Sequence, residues 1–296
     1  MQVAAMSRIV ELYGTITTSN ADWPKILADE QCPFLKRKCL KNRKSAPELT
    51  IGSCTLAVGK NRTQVIVCPF RLLEGNQVFL DCIHLLSLHE PGNELHVIPQ
   101  LSVPGGSIDY CLVSVRNGKP VDFVGIEFQT LDTTGTVWPE RQRFAHQHGR
   151  AVKVADRKSD KSFGVNWKMT AKTTLVQLHH KIVTFEHINR HLVLVAQDDL
   201  IAYMKKQFSF DHLQRARLGD PMHFHAYTLQ QADDDSLRLQ LQERLSTDGQ
   251  GVARCLGIQS EANVEIAVIF HQLEAKISAK TRLSIEAADA RLSPDR

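Results

Sequence analysis

Two strand-like segments joined by an Asn-Gly turn constrain this chain more than any other feature. Ser107–Arg116 (SIDYCLVSVR) and Val121–Gln129 (VDFVGIEFQ) are rich in β-branched and aromatic residues and flank Asn117-Gly118-Lys119. Such runs on either side of Asn-Gly predict an antiparallel hairpin. A three-residue loop pairs Arg116 with Pro120, and following the ladder back sets Asp109 opposite Glu127. Directly opposed residues have Cβ atoms about 5 Å apart on one face. Gln129, two residues further on, points the same way. A two-residue loop would instead put Asp109 opposite Ile126. Cys111, Val113 and Val115 continue the acid face opposite Gly125, Phe123 and Val121, and Ile108, Tyr110, Leu112, Val124, Ile126 and Phe128 form the other, so both faces are expected to be buried.

Two carboxylates that close repel, and burial adds to the cost. A divalent cation between them removes the conflict, and hard oxygen ligands suit Mg²⁺. Such an ion can generate hydroxide and neutralise charge on a phosphodiester under attack. The alternative is an Asp109 that caps a strand edge and a Glu127 that is merely solvated.

Around the hairpin, strands alternate with helices. A helix is expected from Pro139 to His148, stopped by Gly149. A longer one is expected from about Trp167 to Lys181, with an apolar stripe of Met169, Leu175, Val176 and Ile182. His191–Ala196 (HLVLVA) reads as a fully buried strand followed by a short helix through Lys205. This predicts an α/β fold with a mixed central sheet flanked by helices. Met6–Leu12 is expected to be a short helix within an N-terminal tail (1–20), and Glu274–Ala287 a terminal one. Residues 21–90 look irregular and poor in core-forming residues, and 91–296 form the main domain. No apolar run approaches the roughly 20 residues that span a bilayer, and the start lacks a secretory pattern, so a soluble cytoplasmic protein is expected. Seven cysteines in such a chain argue against a disulfide framework.

Cys32, Cys39, Cys54 and Cys68 lie in the irregular region, without paired Cys-x-x-Cys knuckles. Both Cys32 and Cys68 open a Cys-Pro-Phe triplet, a repeated local geometry that would present two thiolates alike. Four thiolates favour Zn²⁺ or iron in tetrahedral coordination; the alternative is four scattered buried thiols. Lys36, Arg37, Lys38, Lys41 and Arg43 run through this segment, and Lys168 and Lys172 share a face of the long helix. Each set is either a solvated face or a set of phosphate contacts; a net charge of +4 permits nucleic acid without requiring it. The histidine pairs His146/His148, His179/His180 and His223/His225 do not converge on one helix face, which argues against a further metal site.

Pro104-Gly105-Gly106-Ser107-Ile108-Asp109, followed by Glu127-Phe128-Gln129, resembles the PD-(D/E)xK nuclease core. In that family an Asp and a Glu on adjacent strands bind Mg²⁺, and a Lys two residues after the Glu positions or activates the attacking water. Here Gln129 stands in that place; its amide can orient water but supplies no positive charge. Glu94 is a candidate further ligand, as in related nucleases, or a solvated loop residue. Together with the four-cysteine module, the pattern resembles the NotI family of type II restriction endonucleases, from about Cys32 through Asn166-Trp167-Lys168-Met169 and Leu178-His179-His180-Lys181. The resemblance implies a homodimer that cuts double-stranded DNA at a GC-rich palindrome, with iron rather than zinc held structurally by the cysteines. The rival expectations are a DNA-binding or redox-sensing protein built on the four-cysteine site, and a structure-specific repair nuclease.

Overall fold

Seven strands form the central sheet in the order Gln214–Arg215, Leu237–Thr247, Met222–Gln231, His191–Gln197, Lys119–Gln129, Gly106–Arg116, Glu94–Val103. The computed structural model describes residues 7–232 and 236–258. The three middle strands run parallel and their outer neighbours antiparallel, so the sheet is mixed. His191–Gln197 sits at its centre, and residues Leu192 to Gln197 are all buried. A strand covered on both faces needs such a continuous apolar run.

Alternation along the strands sends side chains into two cores. Cys111, Val113, Leu192, Leu194, Phe224 and Ala226 join a cluster with Ala171, Leu175, Leu178, Ile182 and Phe185 of the helix Trp167–His187. Leu112, Val124, Ile126, Val193 and Val195 join another, closed by Leu72, Val78, Phe79, Leu85 and Leu86 from short helical turns. Both hairpin faces are thus covered, as expected, except that Ile108 joins the first cluster and not the second.

The hairpin reaches the expected register by an unexpected route. Its loop is two residues, with Arg116 paired to Lys119 and Asn117 and Gly118 both left-handed (φ 53° and 71°), the conformation a tight hairpin of this type demands. One residue later the ladder slips: Val115 pairs with Pro120, but Ser114 pairs with Asp122. This bulge absorbs the residue that a longer loop would have supplied. Cys111 then faces Gly125, Tyr110 faces Ile126, and the next step of the ladder sets Asp109 against Glu127.

The helix Trp138–Gln147 matches expectation, with left-handed Gly149 (φ 80°) just beyond it. The long helix begins where expected, its first turn capped by the Asn166 side chain on the Met169 amide (3.2 Å), but runs on to His187. Its buried stripe is Thr170, Ala171, Thr174, Leu175, Leu178, Lys181, Ile182 and Phe185. Met169, expected in that stripe, is 57% exposed. A three-to-four-residue spacing through Leu175 and Leu178 leaves it on the outer face.

The N-terminal segment is corrected more fully. Ile9–Leu12 is a strand, paired with Ser53–Val58, which pairs in turn with Thr63–Ile66. Four residues of sequence read equally well as helix or strand, and distant pairing decides between them. Nor is the region from 21 to 90 poor in core: Trp23, Leu27, Leu56, Val65, Leu72 and Phe79 are all buried. One cluster runs without a break from Ile9 through Leu56 and Val137 to Cys255, and the described residues up to Ile258 form one compact unit. The expected helix Glu274–Ala287 lies outside the described residues. No described helix is long and apolar enough to cross a membrane.

Candidate active site and thiol cluster

The acid face of the hairpin opens at the Pro104-Gly105-Gly106 turn, and the glycines there are dictated by packing. Gly105 (φ 93°) lies so close to the long helix that a Cβ would stand 2.4 Å from the His180 carbonyl oxygen; at Gly106 (φ 137°) it would meet the Lys181 side chain at 3.2 Å. The Thr184 hydroxyl donates to the Pro104 carbonyl (3.0 Å). On the neighbouring strand Gly125 leaves room for the Phe185 ring, which a Cβ would meet at 2.5 Å. Together these contacts press the helix onto the hairpin and bring Lys181 over the acids.

The Lys181 ammonium donates to Glu127 Oε1 at 2.7 Å. Asp109 Oδ2 accepts the Phe128 backbone N–H at 2.9 Å, and the Gln129 amide donates to the Thr130 carbonyl at 2.7 Å. Asp109, Glu127, Gln129, Thr174, Gln177 and Lys181 line a common pocket of about 280 Å³. Burial, helped by the nearby Asp109 charge, raises the Glu127 carboxyl to about 7 against the pull of Lys181. Cys111, just below, is pushed up to about 11 by burial and by Glu127, so its thiol stays neutral.

Asp109, Glu127 and Gln129 are therefore brought together, while Glu94 is not. It pairs with Val115 at the turn end of the hairpin, is exposed, and meets His96 at 3.1 Å. Six residues of strand, about 20 Å, separate it from Asp109. Lys181 is the pocket residue that strand reasoning missed. The only signal was its place in the Leu178–Lys181 segment, since no spacing rule links a helix residue to a hairpin more than fifty positions earlier.

Of the basic residues, Lys36, Arg37 and Lys38 are exposed, and Lys38 meets Glu30 at 3.3 Å. Arg37 is near enough to Tyr110, beside Asp109, to act on its phenol. Arg43 lies over the Trp138 ring (4.4 Å) and pairs with Asp156 (3.5 Å). Lys168 and Lys172 are exposed on the long helix. Lys41 is a correction: its ammonium donates to the carbonyls of Ser53 (3.3 Å) and Val67 (2.9 Å), inside the cysteine cluster and not on a phosphate-facing surface.

All seven cysteines are free and buried. Cys68 comes within electrostatic reach of Cys32, Cys39 and Cys54, and Lys41 within reach of Cys39, Cys54 and Cys68. The two Cys-Pro-Phe triplets repeat one local geometry: Cys32 receives the amides of Phe34 and Leu35, and Cys68 those of Phe70 and Arg71. Burial raises Cys32 and Cys39; a hydrogen bond from Cys54 to Cys68 lowers Cys68 and raises Cys54. Four thiols served by amide donors suit a soft cation. Among the described residues, however, no three or more His, Cys, Asp or Glu side chains stand in an arrangement that would hold a metal ion. The thiols thus fit such an ion by chemistry and not by present spacing. The carboxylate pair fits Mg²⁺, which commonly takes one or two protein carboxylates and completes its shell with water and phosphate.

No protein-family model matches the chain, and comparison with curated proteins finds no match.

Proposed function

We propose that this chain is a metal-dependent nuclease that hydrolyses phosphodiesters, with Asp109 and Glu127 as the metal-holding pair. More particularly, we read it as a homodimeric type II restriction endonuclease acting on a GC-rich palindrome in double-stranded DNA. The observation that carries the first step is the meeting of two carboxylates and one ammonium in a single pocket. The second step rests on the resemblance in the sequence.

Asp109 and Glu127 would hold Mg²⁺, which would supply charge neutralisation at the phosphate and an acidified water. The protein's own groups have separable tasks. The Phe128 amide holds Asp109 in one orientation. Lys181 opposes the burial of Glu127 and favours its ionised form. It also brings to the pocket the positive charge that Gln129 lacks, entering from the helix and not from the strand. Gln129 offers a neutral amide that orients the water nucleophile. Arg37 and Lys36 are suited to hold phosphates beside the cut, and Lys168 and Lys172 to hold them along the helix; such contacts position a duplex without reading its sequence. Two subunits cutting one strand each match a palindromic site. The four cysteines have the donor chemistry for a structural iron or zinc, which they would hold only after closing from their present spacing.

Incubating the protein with GC-rich plasmid and Mg²⁺ tests this reading. Discrete fragments with uniform ends support a site-specific enzyme, and cutting only at junctions or mismatches supports a repair nuclease. Retardation without cutting rejects both.

A further inference from the structure

A cavity of about 790 Å³ shares no lining residue with the acid pocket. It is walled by the strand Leu237–Thr247, the segment 215–218, His84 and His223. His223 pairs with Val193, whose side chain belongs to the second core; the acid pocket instead touches Leu194, on the opposite face. His223 therefore faces away from the acid pocket, while Leu245, also in the cavity wall, belongs to the first core.

Its charges do not cancel. Glu243 is taken by Lys205 (2.6 and 2.8 Å), and Arg244 is matched by Asp81 (3.3 Å). Arg215 is exposed and has no ion pair or hydrogen bond through its guanidinium among the described residues. Among the described residues, the Arg217 guanidinium reaches only the neutral Gln214 amide. Two guanidiniums thus remain uncompensated at the mouth, one phosphate monoester's worth of charge. Leu218, Leu241 and Leu245 supply apolar wall. Among the described residues, buried polar atoms of His223, His225 and Arg244 beside that wall have no hydrogen-bond partner. His223 is 1% exposed, donates through Nε2 to the Asp220 carbonyl (2.8 Å), and has no partner for its Nδ1 acceptor. Arg244 Nε is a donor without an acceptor. Buried orphans of this kind are costly.

We propose that this cavity is a binding site for a nucleoside monophosphate. Arg215 and Arg217 clamp the phosphate, the leucines receive the ring system, and the base edge offers an acceptor to Arg244 and a donor to His223. Burial lowers His223 to about 4, so its Nδ1 is a lone-pair acceptor at neutral pH. The volume suits a ligand of this size. Nothing here depends on the nuclease reading.

Isothermal titration of the full chain with AMP, GMP, CMP and TMP, and separately with inorganic phosphate, tests the assignment. The expected result is one-to-one binding of at least one nucleotide, with inorganic phosphate about tenfold weaker or worse. Arg215→Ala with Arg217→Ala should weaken that nucleotide by at least about tenfold, given the worth of hydrogen bonds to charged groups. Leu218→Trp, at a residue 63% exposed, should block it, and Asp109→Asn should leave it unchanged. Both exposed-site variants should melt as the parent does. No nucleotide binding, equal binding of phosphate, or undiminished binding by both variants overturns the proposal, as does binding of duplex DNA alone.

Discussion

The carboxylate pocket and the thiol cluster each gather acidic groups around a lysine, and the lysines are held in contrasting ways. Lys181 reaches Glu127 directly at 2.7 Å, from a 21-residue helix onto an eleven-residue strand. Lys41 is anchored by two backbone carbonyls among thiols, where burial lowers its own pKa. The first lysine opposes desolvation at an acid that borders an open pocket. The second stands where a cation belongs in a cluster closed to solvent. Long regular elements thus build the place where reaction is proposed, and short irregular ones build the place where only cohesion is proposed.

The largest effect that would sharpen this contrast is expected on the thiol side. Cys54→Ala should give misfolded or insoluble protein, scored by solubility and circular dichroism, if the cluster holds its segment together through a metal. A well-folded variant with normal digestion would remove the structural-metal reading. Elemental analysis of the parent protein should find about one iron or zinc per chain.

On the carboxylate side, Glu127→Ala should cut plasmid cleavage by about a thousandfold or more while gel-shift affinity stays within a few-fold, as expected when an interaction serves the chemical step alone. Lys181→Met should cost less, about a hundredfold. It should also move the pH profile of cleavage upward, because the ammonium lowers the Glu127 pKa; Lys181→Arg should restore part of both.

Proton linkage offers a smaller effect with a definite sign. The folded Glu127 pKa, about 7, lies above its ordinary value of 4.5. Its contribution to stability is therefore greatest below about 4.5 and is lost as pH rises through about 7. Cleavage, which needs the ionised acid, should rise over the same interval. Opposite slopes for melting temperature and cleavage between pH 5 and 8 are expected, and parallel slopes would argue against Glu127 as the titrating group. Smallest of all, Arg37→Ala should weaken DNA binding uniformly across sequences and reduce the salt slope by about one.

How much of this was legible beforehand differs between the two regions for physical reasons. The period-two pattern and the Asn-Gly turn led to the acid pair, because side-chain alternation and register are local properties of a hairpin. They led there by the wrong loop length, corrected by a bulge at Val121 that no sequence pattern announced. Gln129 and the twin glycines were readable; Lys181 was not, since its role arises from packing between distant elements. The four cysteines were found by counting. What each does was hidden by irregular spacing, and Lys41 was grouped with its basic neighbours as a solvated or phosphate-facing residue because runs of like charge ordinarily lie at the surface. Ile9–Leu12 was misread because its partner strand begins over forty residues later.

The central claim is that Asp109 and Glu127 jointly support metal-dependent hydrolysis. Digestion of supercoiled GC-rich plasmid, by parent protein and by Asp109→Asn, with and without Mg²⁺, tests it most directly. Discrete fragments should form only with the parent and only with the ion. Intact plasmid under every condition, or cutting by Asp109→Asn at the parental rate, would contradict it.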